Sequence, residues 1–311
     1  MATVGARLKN DGTLLTAGSF DEYGVDGSVP LGHKVTVDHI FADEFDEVTL
    51  PGGQPSGGSV KLDGTSQYLS VVGSGDFQFG SAAFTIEGWF FVTSTSYQRL
   101  WSFPDGDNIE MLGSTLYYWN GTNAPVGSGS NVVPQNQWFH VALVKTDSTH
   151  VKVYVNGTSV ITDSSPYTSV TSRALAIGGE VNASVTGQSG SAGVTDGFLT
   201  GNVTNFRVVK GLAVYTGNFS TPIKPFSATQ SSSVNIAAIP SSATVLLLTM
   251  ADTGALTTDT SGSSKSVTNV GGATYDALTP LSTNYNGKMK QRKSGSLLVA
   301  NEFDEYTGIS A

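Results

Sequence analysis

The stretch Ser59–Phe91, SVKLDGTSQYLSVVGSGDFQFGSAAFTIEGWFF, decides the predicted fold class. Two short runs of alternating apolar residues flank a turn at Asp63-Gly64, and a Gly/Ser loop leads into a third run at 84–92. This last run is rich in the aromatic and β-branched residues that favour a pleated, half-buried strand. The stretch therefore predicts a strand–turn–strand–loop–strand unit and an all-β protein.

The third run also predicts which side chains share a face of its strand. Successive side chains along a strand point to opposite faces of the sheet. One face would therefore carry Phe84, Ile86 and Gly88, and the other would carry Thr85, Glu87 and Trp89.

The composition of the chain agrees with short strands joined by tight turns. Only 13% of the 311 residues are charged, and 37 are glycine, whereas long helices need charged faces. The formal net charge of −9 argues against nucleic-acid binding, which needs a basic surface. The chain has no cysteine, so a disulfide scaffold and a cysteine-based metal site are excluded.

The sequence also bears on localisation. The first 12 residues have no long apolar run, so we expect no secretory leader. The longest apolar cluster, Val245–Leu248, is too short to insert into a membrane. We therefore expect the protein to fold in the cytoplasm where it is made and, if it reaches the outside of a cell, to leave by another route, such as release within a particle.

The first 58 residues differ from the rest of the chain. Residues 1–50 contain nine of the 25 acidic residues, and the Pro- and Gly-rich segment 51–58 is typical of a flexible linker. We therefore divide the chain into an N-terminal arm (1–58), a β-sandwich (59–280) and a C-terminal arm (281–311).

A short repeat occurs twice in the N-terminal arm and once in the C-terminal arm. Its copies span 15–23, 40–48 and 298–306, and each joins a short apolar run to the sequence Phe-Asp-Glu. Two interpretations remain open: the arms pair with each other as strands, or each copy docks onto the sheet of another chain. The docking hypothesis names nine residues: Phe20, Asp21, Glu22, Phe45, Asp46, Glu47, Phe303, Asp304 and Glu305.

Further strands follow at regular intervals in the central segment. Ile109–Leu112 and Leu116–Trp119 are predicted to form a hairpin. Trp138–Lys145 is predicted to pair with Val151–Val155, which ends at Asn156-Gly157, a strong hairpin-turn signal. The remaining predicted strands are 99–103, 174–179, 201–210, 245–249 and, as the last one, 267–270.

Several of these segments resemble the laminin-G-like, concanavalin A-like jelly rolls, and above all the variants found in virion proteins of marine tailed phages. The resemblance is carried by LDGTSQYLSV, AAFTIEGWFF, QWFHVALVK, VKVYVNGTSV, ALAIGG and GNVTNFRVVKGLAVYTGNF. It covers about 59–227, and the segment 243–279 resembles the strand pair that completes such a sandwich. The resemblance implies an antiparallel jelly roll, a fold that hosts lectins, glycosidases, adhesins and structural modules.

Exposed aromatic side chains are the first candidates for a binding site. Trp101, Tyr117 and Trp119 would serve as stacking platforms for sugar rings if they face solvent, although such residues often fill a core instead. The loops around 104–108, 120–131 and 181–196 are predicted to form the exposed rim.

A second candidate is a cluster of oxygen-bearing side chains in one turn. Calcium prefers such ligands, and the cluster contains Asp105, Asp107, Asn108 and Glu110. The turn lacks the length and spacing of an EF-hand loop, so the alternative is a polar hairpin tip without a metal. We expect no other cofactor.

Catalytic patterns are the third possibility. Retaining glycosidases on this type of fold place carboxylates at alternate positions of one strand, and no predicted strand has such a Glu-x-Asp-x-Glu pattern. Glu87 stands alone in its strand. We therefore expect the protein not to be an enzyme.

These observations and the resemblance predict a non-enzymatic structural protein of a tailed-phage virion, either a capsid decoration or a tail or fibre component. Its arms would dock to other virion proteins, and its jelly roll would contact host-surface glycans. We expect a homo-oligomer that binds no nucleic acid. The alternatives are a lectin-like carbohydrate-binding adhesion module and a polysaccharide depolymerase.

Overall fold

The computed structural model describes residues 57–280, except 122–124, 166, 168–171, 182–193 and 223. Both arms, up to residue 56 and from residue 281, and most of the predicted loop 181–196 lie outside the described residues. The residues predicted to dock to a particle therefore lie there too: Phe20, Asp21, Glu22, Phe45, Asp46, Glu47, Phe303, Asp304 and Glu305.

The described residues form strands, and one 3₁₀ turn at Gly75–Phe77. In chain order the strands are β1 Ser59–Asp63, β2 Tyr68–Ser74, β3 Phe84–Val92, β4 Gln98–Ser102, β5 Asn108–Leu112, β6 Thr115–Trp119, β7 Val126–Gly127, β8 Trp138–Asp147, β9 His150–Val155, β10 Thr158–Asp163, β11 Arg173–Ile177, β12 Glu180–Val181, β13 Val194–Asp196, β14 Thr200–Lys210, β15 Thr244–Leu248, β16 Val267–Val270 and β17 Thr274–Asp276.

Two large antiparallel sheets pack face to face around one core. The eight-stranded sheet has the order β10-β9-β8-β3-β14-β1-β17, and β15 also pairs with β14. The seven-stranded sheet has the order β16-β2-β11-β4-β5-β6-β7, and β12 and β13 form a separate ribbon. The predicted all-β antiparallel sandwich is confirmed.

Strand β3 lies in the middle of the eight-stranded sheet, and its two faces match the prediction. Phe84 and Ile86 are fully buried between the sheets, where each such side chain stabilises the fold by about 1.5–3 kcal/mol. A Cβ added to Gly88 would lie 3.0 Å from the ring of the core residue Phe206, so Gly88 also faces inward. The side chains of Thr85, Glu87 and Trp89 lie on the outer face.

The predicted hairpins form, but four short strands were missed: β7, β12, β13 and β17. Asn156 and Gly157 both have positive φ angles, 48° and 77°, as a tight turn with right-handed strand twist requires. The strand predicted as the last, β16, is followed by β17, which pairs with β1. Its three residues Thr274–Asp276 form an edge strand without an apolar pattern, so periodicity could not reveal it.

The outer faces of the two sheets differ in what covers them. The segment 211–243 crosses the eight-stranded sheet, and its residues Val214, Tyr215 and Ile239 pack onto β8, β9 and β14. On the seven-stranded sheet, Val181 and Phe198 pack over β2 and β11. The hairpin β5–β6 beyond them keeps partly exposed aromatic side chains, which positions the candidate site described next.

Within the described residues, no helix is long and apolar enough to cross a membrane.

Candidate functional site

One row of side chains runs across four neighbouring strands on the outer face of the seven-stranded sheet. Arg99 on β4 pairs with Glu110 on β5, which pairs with Tyr117 on β6, which pairs with Gly127 on β7. The apolar residues that alternate with this row in β5 and β6 fill the core, so the row itself faces outward. We call this surface, with its neighbour Trp119, the β4–β7 face.

Two aromatic side chains dominate the exposed part of this face. Tyr117 and Trp119 lie two residues apart on β6, point to the same side and are both partly exposed. Leu112, at the end of β5, is exposed beside them. A Cβ added to Gly127 would lie 2.9 Å from the ring of Tyr117, so the missing side chain of Gly127 leaves room for that ring at the sheet edge.

A group of polar side chains, the Arg99 cluster, adjoins the aromatic pair. It consists of Tyr97, Arg99, Glu110 and Glu180. Nη2 of Arg99 lies 2.8 Å from Oε1 of Glu180 and 3.1 Å from Oε2 of Glu110. Nε of Arg99 donates to the Tyr97 hydroxyl at 2.8 Å, and the guanidinium carbon lies 5.7 Å from the centre of the Trp119 ring. The cluster thus combines an ion-pair network with an aromatic wall.

The Tyr97 hydroxyl contacts both carboxylates of the Arg99 cluster. It lies 2.9 Å from Oε2 of Glu110 and 3.1 Å from Oε2 of Glu180. Burial raises the pKa of Tyr97 well above its usual value, and although the charge of Arg99 opposes this, the two carboxylates add to it. The hydroxyl therefore stays protonated and has one hydrogen to share between two acceptors.

Arg99 keeps one nitrogen without a hydrogen-bond partner in the part of the chain that the structure describes. Nη1 of Arg99 is buried, and the whole residue is only 6% exposed. Leaving a buried donor unpaired costs about 1–3 kcal/mol, and more for a charged group. The Arg99 cluster therefore has an unused donor beside the aromatic pair.

The structure contradicts the prediction that Trp101 contacts a glycan. Its side chain is fully buried, its ring packs against Phe90 and Phe206, and Nε1 donates to the backbone oxygen of Asp107. The cause is a bulge in β4 between Arg99 and Trp101, which breaks the alternation of faces. Of the three predicted aromatic residues, the structure brings together Tyr117 and Trp119 only.

The predicted calcium site is wrong. Arg173 pairs with Asp105 at 2.9 Å and with Asp107 at 2.7 Å, so a guanidinium group occupies the place of a metal ion. Oδ1 of Asn108 accepts the backbone N–H of Phe103, and Glu110 belongs to the Arg99 cluster. Within the described residues, no group of three or more His, Asp or Glu side chains converges on one point.

A second ion-pair network, the Glu87 cluster, lies under the segment 211–243. Oε1 of Glu87 accepts Nε and Nη2 of Arg207 at 2.9 and 2.6 Å, and Oε2 accepts the Tyr215 hydroxyl at 2.6 Å. Nε2 of His140 lies 3.1 Å from the same Oε2. Burial alone would raise the pKa of Glu87, but Arg207 and the hydrogen bonds from His140 and Tyr215 lower it to about 2.

Comparison with known proteins bears on the fold that carries these clusters. The family described as the concanavalin A-like lectin/glucanases superfamily, of laminin G type, matches residues 63–211. That range contains five strands of the eight-stranded sheet, β3, β8, β9, β10 and β14, together with the β4–β7 face. The domain is a concanavalin A-like jelly roll.

Solved structures similar to this jelly roll include three with low sequence identity. A heptameric pentraxin from Limulus polyphemus is 13% identical, with a TM-score of 0.39, covering 52% of this chain and 80% of that one. Domains LG4-5 of the mouse laminin alpha1 chain are 16% identical, with a TM-score of 0.36, covering 53% and 44%. A Ruminococcus gnavus sialidase module, CBM40, bound to sialyllactose is 15% identical, with a TM-score of 0.37, covering 51% and 92%. No curated protein matches the chain.

Three residues of the Arg99 cluster, Tyr97, Arg99 and Glu180, were not among the candidate site residues predicted from the sequence. Arg99 and Glu180 are 81 residues apart, and no local pattern links them. The one available signal was the alternation in β5 and β6, which places Glu110 and Tyr117 outward once Ile109 and Leu116 are assigned to the core.

Proposed function

We propose that this jelly roll is a non-enzymatic carbohydrate-binding module that holds a glycan on its β4–β7 face. The observation that carries the proposal is the pair Tyr117 and Trp119, which expose aromatic rings beside fixed hydrogen-bonding groups. A ligand site typically combines aromatic surface with a few well-placed polar groups. Sugars present both apolar ring faces and hydroxyl groups, so this combination suits them.

We further propose which kind of protein carries this module. The resemblance of 59–227 to virion modules of tailed phages and the three Phe-Asp-Glu repeats in the arms support a virion structural protein. It would be a capsid decoration or a tail or fibre component, made in the host cytoplasm and assembled as a homo-oligomer. Its arms would dock to other virion proteins, leaving the jelly roll to contact host glycans.

Polysaccharide cleavage is the alternative, and one observation favours it. Glu110 and Glu180 both contact the Tyr97 hydroxyl, so their oxygen atoms are no farther apart than the sum of those two contacts. Retaining glycosidases separate their carboxyl groups by about 5–5.5 Å. Both carboxylates, however, already pair with Arg99, which favours a binding role. Release of new reducing ends from a bound polysaccharide would establish cleavage and overturn the non-enzymatic proposal.

The binding proposal is tested on the full-length protein with a glycan array. We expect Trp119→Ala to weaken binding to the best glycan by about tenfold or more, as loss of a central aromatic contact does. The matched control is Trp138→Ala, because Trp138 is a partly exposed tryptophan on the other sheet. Equal binding by wild type and Trp119→Ala, or no binding to any glycan, would contradict the proposal.

The docking proposal is tested separately by co-sedimentation with particles that lack this protein. We expect the full chain to bind, and a variant with Phe20, Phe45 and Phe303 all changed to Ala to bind at least about tenfold more weakly. The Trp119→Ala variant is the control, since it should dock normally. Undiminished sedimentation of the triple variant would overturn the role of the repeats.

A further inference from the structure

We propose that the Arg99 cluster makes this site selective for neutral glycans with adjacent hydroxyl groups, and that it rejects acidic sugars. This inference rests on the proposed carbohydrate-binding function and names the class of ligand. It draws on three features of the cluster: an underused acceptor, an unused donor and a surplus of negative charge.

The acceptor is the carboxylate of Glu180. Tyr97 has one hydroxyl hydrogen for the two carboxylates that it contacts, so one carboxylate oxygen lacks a full hydrogen bond. The side chain of Glu180 is 32% exposed and that of Glu110 only 9%, so a ligand reaches Glu180 first. A sugar hydroxyl can donate to this oxygen, and a hydrogen bond to a charged group is stronger than one between neutral groups.

The donor is Nη1 of Arg99. It is buried and has no partner among the described residues, while the other guanidinium nitrogens are held by Tyr97, Glu110 and Glu180. Because the atom is buried, a hydroxyl group or a bridging water molecule reaches it only when a neighbouring side chain moves. Two adjacent hydroxyl groups of a pyranose supply both functions: one donates to Glu180 and its neighbour accepts from Arg99.

The aromatic side chain Trp119 gives this pair of contacts an orientation. The guanidinium carbon of Arg99 lies over the Trp119 ring, 5.7 Å from the ring centre, so one face of the ring is turned toward the Arg99 cluster. A pyranose packed against the ring would present its hydroxyl edge to Arg99 and Glu180. A flat apolar ligand would use the ring alone and leave both polar groups unsatisfied.

The charge of the cluster excludes acidic sugars. Two carboxylates and one guanidinium leave a net charge of −1 at the site, and the whole chain has a formal charge of −9. A uronic acid or sialic acid would bring a further carboxylate close to Glu180, and like charges placed together at an interface weaken binding. A neutral sugar has no such repulsion. The site therefore discriminates between neutral and acidic sugars by charge repulsion as well as by attractive contacts.

The test uses the full-length protein and pairs of probes that differ by one carboxylate in each sugar unit. Galacto- and gluco-oligosaccharides are compared with the matching galacturonic and glucuronic acid oligosaccharides by direct binding measurements. We expect wild type to bind the neutral member of a pair at least about tenfold more tightly than the acidic one. Glu180→Gln should weaken neutral binding by about tenfold and reduce the difference between the two members.

The matched control is Asp252→Asn, which makes the same change of charge at an exposed carboxylate of another loop. It should bind like wild type, and circular dichroism should show that both variants are folded. Preference of wild type for the acidic probes, or equal behaviour of Glu180→Gln and Asp252→Asn, would overturn the inference. In that case binding that still depends on Trp119 would leave the proposed function standing, whereas a protein that binds no probe at all would overturn both.

Discussion

The jelly roll contains two clusters with the same chemistry in different surroundings. Each combines an arginine, one or two glutamates and a tyrosine hydroxyl: Arg207, Glu87 and Tyr215 in the Glu87 cluster, and Arg99, Glu110, Glu180 and Tyr97 in the Arg99 cluster. The Glu87 cluster lies beneath the segment 211–243, with its side chains 0–1% exposed. The Arg99 cluster lies on an outer face that the structure leaves partly open. The two clusters therefore share their residue types and differ in burial.

The hydrogen bonds of the two arginines show the same difference. Every nitrogen of the Arg207 guanidinium has an acceptor, because Glu87, Ser227 and Gln230 surround it. Arg99 keeps Nη1 unpaired. The Glu87 cluster has one such atom as well, because Nδ1 of His140 is buried without a partner among the described residues, so the two clusters differ at their arginines and not in being fully paired.

The largest expected effect concerns the Glu87 cluster. Glu87→Gln leaves the buried guanidinium of Arg207 without its counter-charge, so we expect a loss of about 3–5 kcal/mol in the free energy of unfolding. Chemical denaturation measures this loss. The comparison variant is Glu180→Gln, which should lose no more than about 1 kcal/mol because its ion pair is partly exposed. Equal losses for the two variants would contradict the distinction between the clusters.

The pH dependence of stability also tests the contribution of the Glu87 cluster to the fold. The pKa of Glu87 is lowered from 4.5 to about 2 in the folded protein, where Arg207, His140 and Tyr215 face its carboxylate. A carboxyl group with a lowered pKa stabilises the fold above its unfolded pKa, and this stabilisation is lost as the pH falls through the folded value. We therefore expect the unfolding free energy to decline from about pH 4.5 toward pH 2, measured by denaturation at each pH. The plot of unfolding free energy against pH should be visibly flatter for Glu87→Gln than for wild type. An unchanged plot would refute the assignment of this pH dependence to Glu87.

A smaller effect is expected at the β4–β7 face. Gly127→Val places a side chain where a Cβ already lies 2.9 Å from the Tyr117 ring, so the ring must move. We expect glycan binding to weaken by about three- to tenfold, with a loss of stability below about 1.5 kcal/mol. Gly129→Val is the control, because no atom lies within 4 Å of a Cβ at Gly129. If both variants bind like wild type, the position of the Tyr117 ring does not matter for binding.

The smallest effect is expected from calcium. Because Arg173 already pairs with Asp105 and Asp107, added Ca²⁺ should shift the melting temperature by less than about 1 °C. A site filled at 100 times its Kd would add about 2.7 kcal/mol and raise the melting temperature by several degrees. Differential scanning calorimetry with Ca²⁺ and with a chelator distinguishes the two outcomes, and a rise of several degrees would restore the calcium hypothesis.

The correct predictions rest on local rules, whereas the incorrect ones concern features that have no local signal in the sequence. The faces of β3, the hairpin at Asn156-Gly157 and the outward position of Tyr117 follow from local rules of alternation and turn geometry. Trp101 was misassigned because a bulge in β4 turned it inward, and a bulge has no periodic signature in a strand of five residues. The calcium ligands were misassigned because their partner, Arg173, lies 66 residues from Asp107.

The sequence by itself determined that this protein is an all-β sandwich, because the two-residue period of its strands is a local property of the chain. Only the tertiary structure decided which polar side chains meet. Glu87 finds Arg207 across 120 residues, and Arg99 finds Glu180 across 81. Such partners are fixed by sheet order and register, which depend on how distant strands pack together. The same packing buries the first pair completely and leaves Glu180 of the second pair partly exposed.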